Sequence, residues 1–217
     1  MHSQDGSPYM RPTQSKNLHG RTLARPSKYH QLGFLSLGEV ALVLVIIIIA
    51  AVIGLPAIKG MLIEMRVPAV ADELQRFMSR TRVLGEGDSV TPYAAVSNEQ
   101  NLVPALRDSS VFKVTDTTVA HRLGGSGVGT DGTITLAPAA LGGGAMGSAF
   151  SLTLTNVNIK ACPVLASTLN AVSETMSVNG TTVKELGDNN ASGTYNPVTA
   201  QNLCTNGDSN TFVFATR

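Results

Sequence analysis

The sequence predicts an α+β fold, a long N-terminal helix whose second half packs on an antiparallel β-sheet. Three observations predict it. Val40 to Ile58 carries no charged residue, and such a run makes a helix of roughly 28 Å, enough to cross the hydrocarbon of a bilayer. Ile63, Val67, Val70, Leu74 and Phe77 then recur at steps of four and three, the spacing of an apolar seam on an amphipathic helix. Beyond Thr91 the texture turns to Gly, Thr, Ser and Asn with short β-rich runs. Among these, Phe150-Ser-Leu-Thr-Leu-Thr alternates as a half-buried strand does.

Residues 1–33 form a basic leader. Arg11, Lys16, Arg21, Arg25 and Lys28 stand against Asp5 alone, a charge of +4 that leaves −3 for the rest of the chain. Their Ser, Pro, Gln, His and Arg content offers no apolar periodicity. Basic residues flanking a membrane segment stay cytoplasmic, so the bulk of the chain is expected outside the cytoplasm. A secretory signal places its apolar core before a small-residue cleavage site. Here the cleavage-like Gly33 precedes the apolar run. A cut there leaves the run attached, and the alternative is an uncleaved signal anchor.

Residues 34–60 form the apolar part of the helix and 61–85 its amphipathic part, the whole running from 36 to about 83. Gly54 and Pro56 are expected to kink or loosen it, and Pro68 again. Gly85-Glu86-Gly87-Asp88 ends it. Glu39 sits at the lip of the apolar run, where a carboxylate is costly unless a cation meets it.

Residues 86–217 read as a globular α+β domain. A short helix is expected over Asn98 to Arg107. Strands are expected at Val111–Val114, Thr133–Leu136, Phe150–Thr155, Met176–Val178, Thr181–Lys184 and Thr211–Ala215. Asn179-Gly180 between two of these runs is a strong hairpin signal. Cys162 to Val172 reads as a helix, with Pro163 tolerated in its first turn. The two cysteines, Cys162 and Cys204, are expected to pair in an oxidising compartment; the alternative is two buried thiols. Closing that loop contributes on the order of 4 kcal/mol.

No enzyme is indicated. His2, His19 and His30 lie in the leader, which leaves His121 as the one histidine of the exported part. A single histidine beside Arg122 in a loop is expected to be solvated rather than catalytic. No metal-ligand spacing or cofactor motif occurs, so catalytic, metal and cofactor sites are expected to be absent. The glycine stretch 124–132 lacks the Gly-Lys-Ser/Thr of a phosphate loop, and 142–144 reads as a surface loop. There is no Trp and aromatic content is low, so nucleic-acid binding by stacking is not expected.

Gly33-Phe34-Leu35-Ser36-Leu37-Gly38-Glu39, followed by the apolar run, resembles the type IV prepilin N-terminus. The long basic leader and late cysteine pair are similar to the type IVb subgroup, its thin-pilus and bundle-forming pilins. In the tail, Cys162 opening a helix, the hairpin Ser177–Val183, and Leu203-Cys204 before the strand Thr211–Phe214 follow the order of the disulfide-bounded region of those pilins, here 162–204. The resemblance implies the type IV pilin fold. It also implies a structural subunit, the major pilin of a type IVb pilus serving adhesion, aggregation or mating contact.

The resemblance further implies partners and processing. A prepilin peptidase cuts the leader between Gly33 and Phe34 and N-methylates Phe34; the alternative cut is between Phe34 and Leu35, which makes Glu39 the fifth residue instead of the sixth. The precursor waits in the inner membrane. A platform protein and an assembly ATPase then draw it into an extracellular helical filament of identical copies. Glu39 meets the N-terminal amine of a neighbour as the assembly salt bridge. Loops within 120–148 and 186–210 are expected to face outward toward a host or recipient-cell surface. The alternatives are a minor pilin or secretion-system pseudopilin, and, in another class, a signal-anchored periplasmic enzyme or binding protein.

Overall fold

The computed structural model describes residues 36–187 and 193–217. The chain divides into two units, Met1–Ile46 and Ile47–Arg217. The leader, with Gly33, Phe34 and Leu35, lies outside the described residues.

Helix α1 spans Leu37–Val83 without interruption, through Gly54 and Pro56. Its start is encoded locally. Ser36 Oγ accepts from the Glu39 amide at 3.2 Å, and the Glu39 carboxylate accepts from the Ser36 amide at 2.9 Å. This reciprocal pair is a capping box, which satisfies two otherwise orphaned N–H groups. The helix ends where the sequence predicts. Leu84, Gly85 and Glu86 turn back onto the last carbonyls, and the Tyr93 hydroxyl donates to Arg82 O at 2.9 Å.

The domain portion of α1 buries the expected seam. Val67, Val70, Leu74 and Phe77 are buried with Ala71 and Met78 between them, and Ile63 is partly buried against the same cluster. Seven strands form one sheet: β1 (Lys113–Thr115), β2 (Thr118–Ala120), β3 (Thr133–Ala139), β4 (Ala149–Asn158), β5 (Thr175–Val178), β6 (Thr181–Lys184) and β7 (Asp208–Thr216). Their order is β1-β2-β3-β4-β7-β5-β6, and every pair is antiparallel.

The last strand is therefore internal to the sheet. Register places Leu154 and Val178 opposite Phe212, and Leu152 and Met176 opposite Phe214. All six are buried, as are Ile134 and Leu136 on β3. One apolar face of alternating residues thus meets the α1 seam, and at about 25 cal/mol per Å² of apolar surface this burial is the main stabilising term.

Strand boundaries, an added strand and the 98–107 segment differ from the sequence reading. The first strand begins at Lys113 rather than Val111, because Ser109 Oγ takes the amides of Val111 and Phe112 at 3.0 and 3.3 Å. Strand β2 was not expected; its hairpin turns through Asp116 at φ +51°. The expected helix over 98–107 is a π-helical turn, Asn98–Leu102, followed by one short turn of α-helix, α2 (Val103–Leu106). Finally, β4 runs past Thr155 through a bulge at Asn156, φ +54°, which returns Val157 to the buried face.

Among the described residues the domain has two further helices. Helix α3 (Cys162–Leu169) carries Pro163 in its first turn, as expected, and is three residues shorter than the predicted span. Helix α4 (Pro197–Asn202) was missed. Asn196 caps it by accepting from Val198 and Thr199 amides at 3.0 and 3.1 Å, and Pro197 fills the first turn. Asn196-Pro197 is the signal that could have found it.

Candidate functional site

Three features stand out as candidates for function. The first is the apolar part of α1. Ile46, Ile49, Ile53 and Ile58 are each more than half exposed, and none of its most apolar window is buried within the chain. A helix apolar all round requires an apolar medium, either lipid or other helices. Glu39 is the only charged residue on α1 before Lys59. Its carboxylate caps the helix and is exposed, so it can also meet an external cation.

The second is the disulfide-bounded region. Cys162 and Cys204 are bonded, with Cα atoms 6.0 Å apart. The bridge joins the first residue of α3 to the turn just after α4, short of β7 itself; the tail helix is thus tied to the approach to the last strand. Between the cysteines, Asn179 and Gly180 make the β5–β6 turn with φ of +50° and +79°. Both central residues of that turn type need positive φ, which Asn and Gly tolerate best.

Asn179 and Asn210 lock this region together. Asn179 donates to Leu203 O at 2.8 Å and to Asn210 Oδ1 at 3.0 Å, and accepts from the Thr211 amide at 2.8 Å. Asn210 is fully buried. It donates to Val157 O and Thr205 O at 2.9 Å each, and its oxygen accepts from the Thr205 amide at 2.7 Å. One side chain therefore connects β4, β7, the turn after the disulfide and, through Asn179, the hairpin. Neither role was legible in the sequence, since both partners lie far along the chain.

The third is a pair of buried ionisable groups. His121 is fully buried, contrary to the expectation of a solvated side chain. Its Nε2–H donates to Thr155 O at 2.7 Å and its Nδ1 accepts from the Leu123 amide at 3.0 Å. Both ring nitrogens are committed in the neutral form. Burial pushes its pKa below the ordinary value, opposed chiefly by the Thr155 carbonyl. Lys184 is nearly buried too. Its ammonium donates to Asn170 O at 2.8 Å and Ser173 O at 2.6 Å, carbonyls at the C-terminal end of α3, where the helix dipole favours a cation. Desolvation lowers its pKa, opposed by Glu174. Neither group reaches a surface where it could act on a substrate.

Among the described residues, no three of His, Cys, Asp and Glu gather as a metal site. An open groove of about 760 Å³ runs between α1 and α2, lined by Glu73, Arg76, Arg80, Gln100 and Asp108 among others. Its Ser109 Oγ donates to Glu73 Oε2 at 2.9 Å, which fastens the loop after α2 to the helix.

No curated protein matches the chain. Solved structures similar to it include the type IVb pilin from Salmonella typhi, 17% identical with a TM-score of 0.44, covering 67% of this chain and 94% of that one. TcpA, a type IV pilin from Vibrio cholerae El Tor biotype, is 14% identical with a TM-score of 0.43, covering 71% of this chain and 99% of that one. The family described as PilS N terminal matches residues 66–217, most of the amphipathic part of α1 and the whole globular domain. The chain belongs to this PilS N-terminal family of type IV pilins and is a structural pilin subunit rather than an enzyme.

Proposed function

We propose that the chain is the major subunit of a type IVb pilus. It is made as a precursor with its bulk outside the cytoplasm and α1 in the inner membrane. A prepilin peptidase removes residues 1–33, cutting between Gly33 and Phe34, and methylates the new Phe34 amine. A platform protein and an assembly ATPase then move the subunit into the filament, where the apolar helices exchange lipid for one another. Gly54 and Pro56 give α1 a place to loosen during that transfer.

The observation that carries this reading is Glu39 at the head of an exposed, charge-free helix, in the same chain as a PilS-family domain. In lipid, opposite charges attract far more strongly than in water, but desolvation offsets much of the gain. The ion pair between Glu39 and a neighbour's N-terminal amine therefore sets register more than it adds stability. The loops that carry the exposed Val128 and Met146, with the exposed Val198 of α4, are suited to contact with a host or recipient-cell surface.

The test is the terminus of the mature protein. Filaments sheared from cells expressing the chain should contain it as their main component, beginning at a methylated Phe34. Intact mass and N-terminal sequencing check this; a chain that keeps Met1 and stays in the envelope overturns it.

A further inference from the structure

A second cavity, of about 340 Å³, lies where the base of the domain portion of α1 meets the β1–β2 edge. Four cations line it: Lys59 and Arg66 from α1, Lys113 from β1 and Arg122 from the loop after β2. One carboxylate, Asp208, faces them. Among the described residues none of the four cations is ion-paired. Asp208 is already engaged, accepting from the Gly125 amide at 3.2 Å and from the Asn158 side chain.

The glycine loop on its rim is not the binding element. Its amides are spent internally, since Ser126 N–H donates to Asp131 Oδ2 at 2.9 Å and Gly127 N–H to Asp131 O at 2.7 Å. The cavity is thus a concentration of unneutralised side-chain charge, and its natural ligand is an anion.

Position narrows the anion. Ile47–Ile58 contains no charge, and Lys59 is the first cation after it. At 1.5 Å per residue, Lys59 and Arg66 stand about 1.5 and 12 Å beyond the apolar run. A headgroup layer is about 5–8 Å deep on each side of the hydrocarbon, and the long stems of Lys and Arg reach several ångströms to place their charge within it. Leu62 and Ile63 line the same cavity between the two cations, so apolar and cationic surfaces alternate as they do at a lipid boundary.

We propose that this cavity holds the phosphate of an anionic phospholipid headgroup while the subunit stands in the bilayer. The assignment rests on the reading that α1 spans a membrane. Bound there, the lipid neutralises the cluster and holds the base of the domain at the membrane surface.

The experiment reconstitutes the full chain into nanodiscs of mixed phosphatidylglycerol and phosphatidylcholine and counts retained lipids by native mass spectrometry. The comparison is the double variant Lys113→Gln with Arg122→Asn; Asn accepts the positive φ of +59° at that position. The wild-type chain should retain phosphatidylglycerol in preference, and loss of two cations should lower that preference by about 25-fold, at about fivefold per cation. Circular dichroism and the intact disulfide check that the variant is folded. Flotation after alkaline carbonate extraction reports insertion separately. A chain that inserts but shows no lipid preference overturns the headgroup site and leaves the membrane reading standing. A chain that fails to insert overturns both. Displacement by inorganic phosphate as effective as by lipid assigns the cavity to a free anion and overturns the lipid assignment.

Discussion

Ser36 and Glu39 cap each other at the head of α1: each backbone amide donates to the other's side chain, at 2.9 and 3.2 Å. Glu39 therefore has a local task, closing the helix, beside the proposed one of meeting a neighbour's amine. The two tasks need different properties of the side chain. Capping needs an acceptor oxygen, and the ion pair needs the charge.

Glu39→Gln keeps the acceptor and removes the charge. It should leave the precursor inserted but reduce sheared filaments at least tenfold, as Glu39→Ala should. Ser36→Ala costs about 1 kcal/mol at the helix end and should leave filaments nearly normal. Immunoblots of sheared and envelope fractions check all three. Normal filament yield from Glu39→Gln would remove the charge from the account.

The cystine should be present in the exported protein and should contribute stability. Paired Ser substitutions at Cys162 and Cys204 are expected to lower the unfolding free energy by up to about 4 kcal/mol. Denaturant titration measures the loss, and non-reducing mass spectrometry measures the bond. Two alkylatable thiols in exported protein would contradict the structure.

His121 should make the domain sensitive to acid. Its folded pKa lies below the ordinary value of about 6.5 that it regains on unfolding. Between those two values the unfolded chain binds the extra proton, so stability falls as pH drops through that window and is fully present above it. Unfolding midpoints measured from above pH 6.5 downward should show the slope. His121→Gln should flatten it. The variant should also be less stable at neutral pH by about 1–3 kcal/mol, because a buried acceptor for the Leu123 amide is lost.

Asn210→Ala should be among the most damaging single changes in the tail. It strands the carbonyls of Val157 and Thr205 and the amide of Thr205, and it unseats Asn179. A loss of about 3 kcal/mol or more is expected from buried groups left unpaired. Thermal melts measure it, and hydrogen exchange should show the opening confined first to the β5–β6 hairpin and the turn after Cys204.

Much of the architecture was legible because it is written in neighbours. The charge-free run, the step-of-four-and-three seam, the alternation of β4 and the Asn179-Gly180 turn all encode local geometry, and the structure has each of them. Misreadings came where a side chain competes for backbone amides. Ser109 delays β1, and Asn196 starts a helix no periodicity announced. The buried polar groups were invisible for a different reason. Thr155 for His121, Val157 and Asn179 for Asn210, and Asn170 and Ser173 for Lys184 are partners that only the fold brings near, and a lone polar residue carries no mark of whether such a partner exists.

The sequence by itself determined that this chain has an apolar helix with an acidic head, an amphipathic continuation and two late cysteines, since period, charge and residue type need only adjacent positions. The tertiary structure decided what those parts bring together. Inserting β7 between β4 and β5 seats Asn210 against the hairpin and the disulfide turn, and folding β1 and the loop after β2 toward α1 gathers Lys59, Arg66, Lys113 and Arg122 around one cavity. Strand order and helix packing are long-range choices, made by the burial of the whole apolar face at once, and no local pattern contains them.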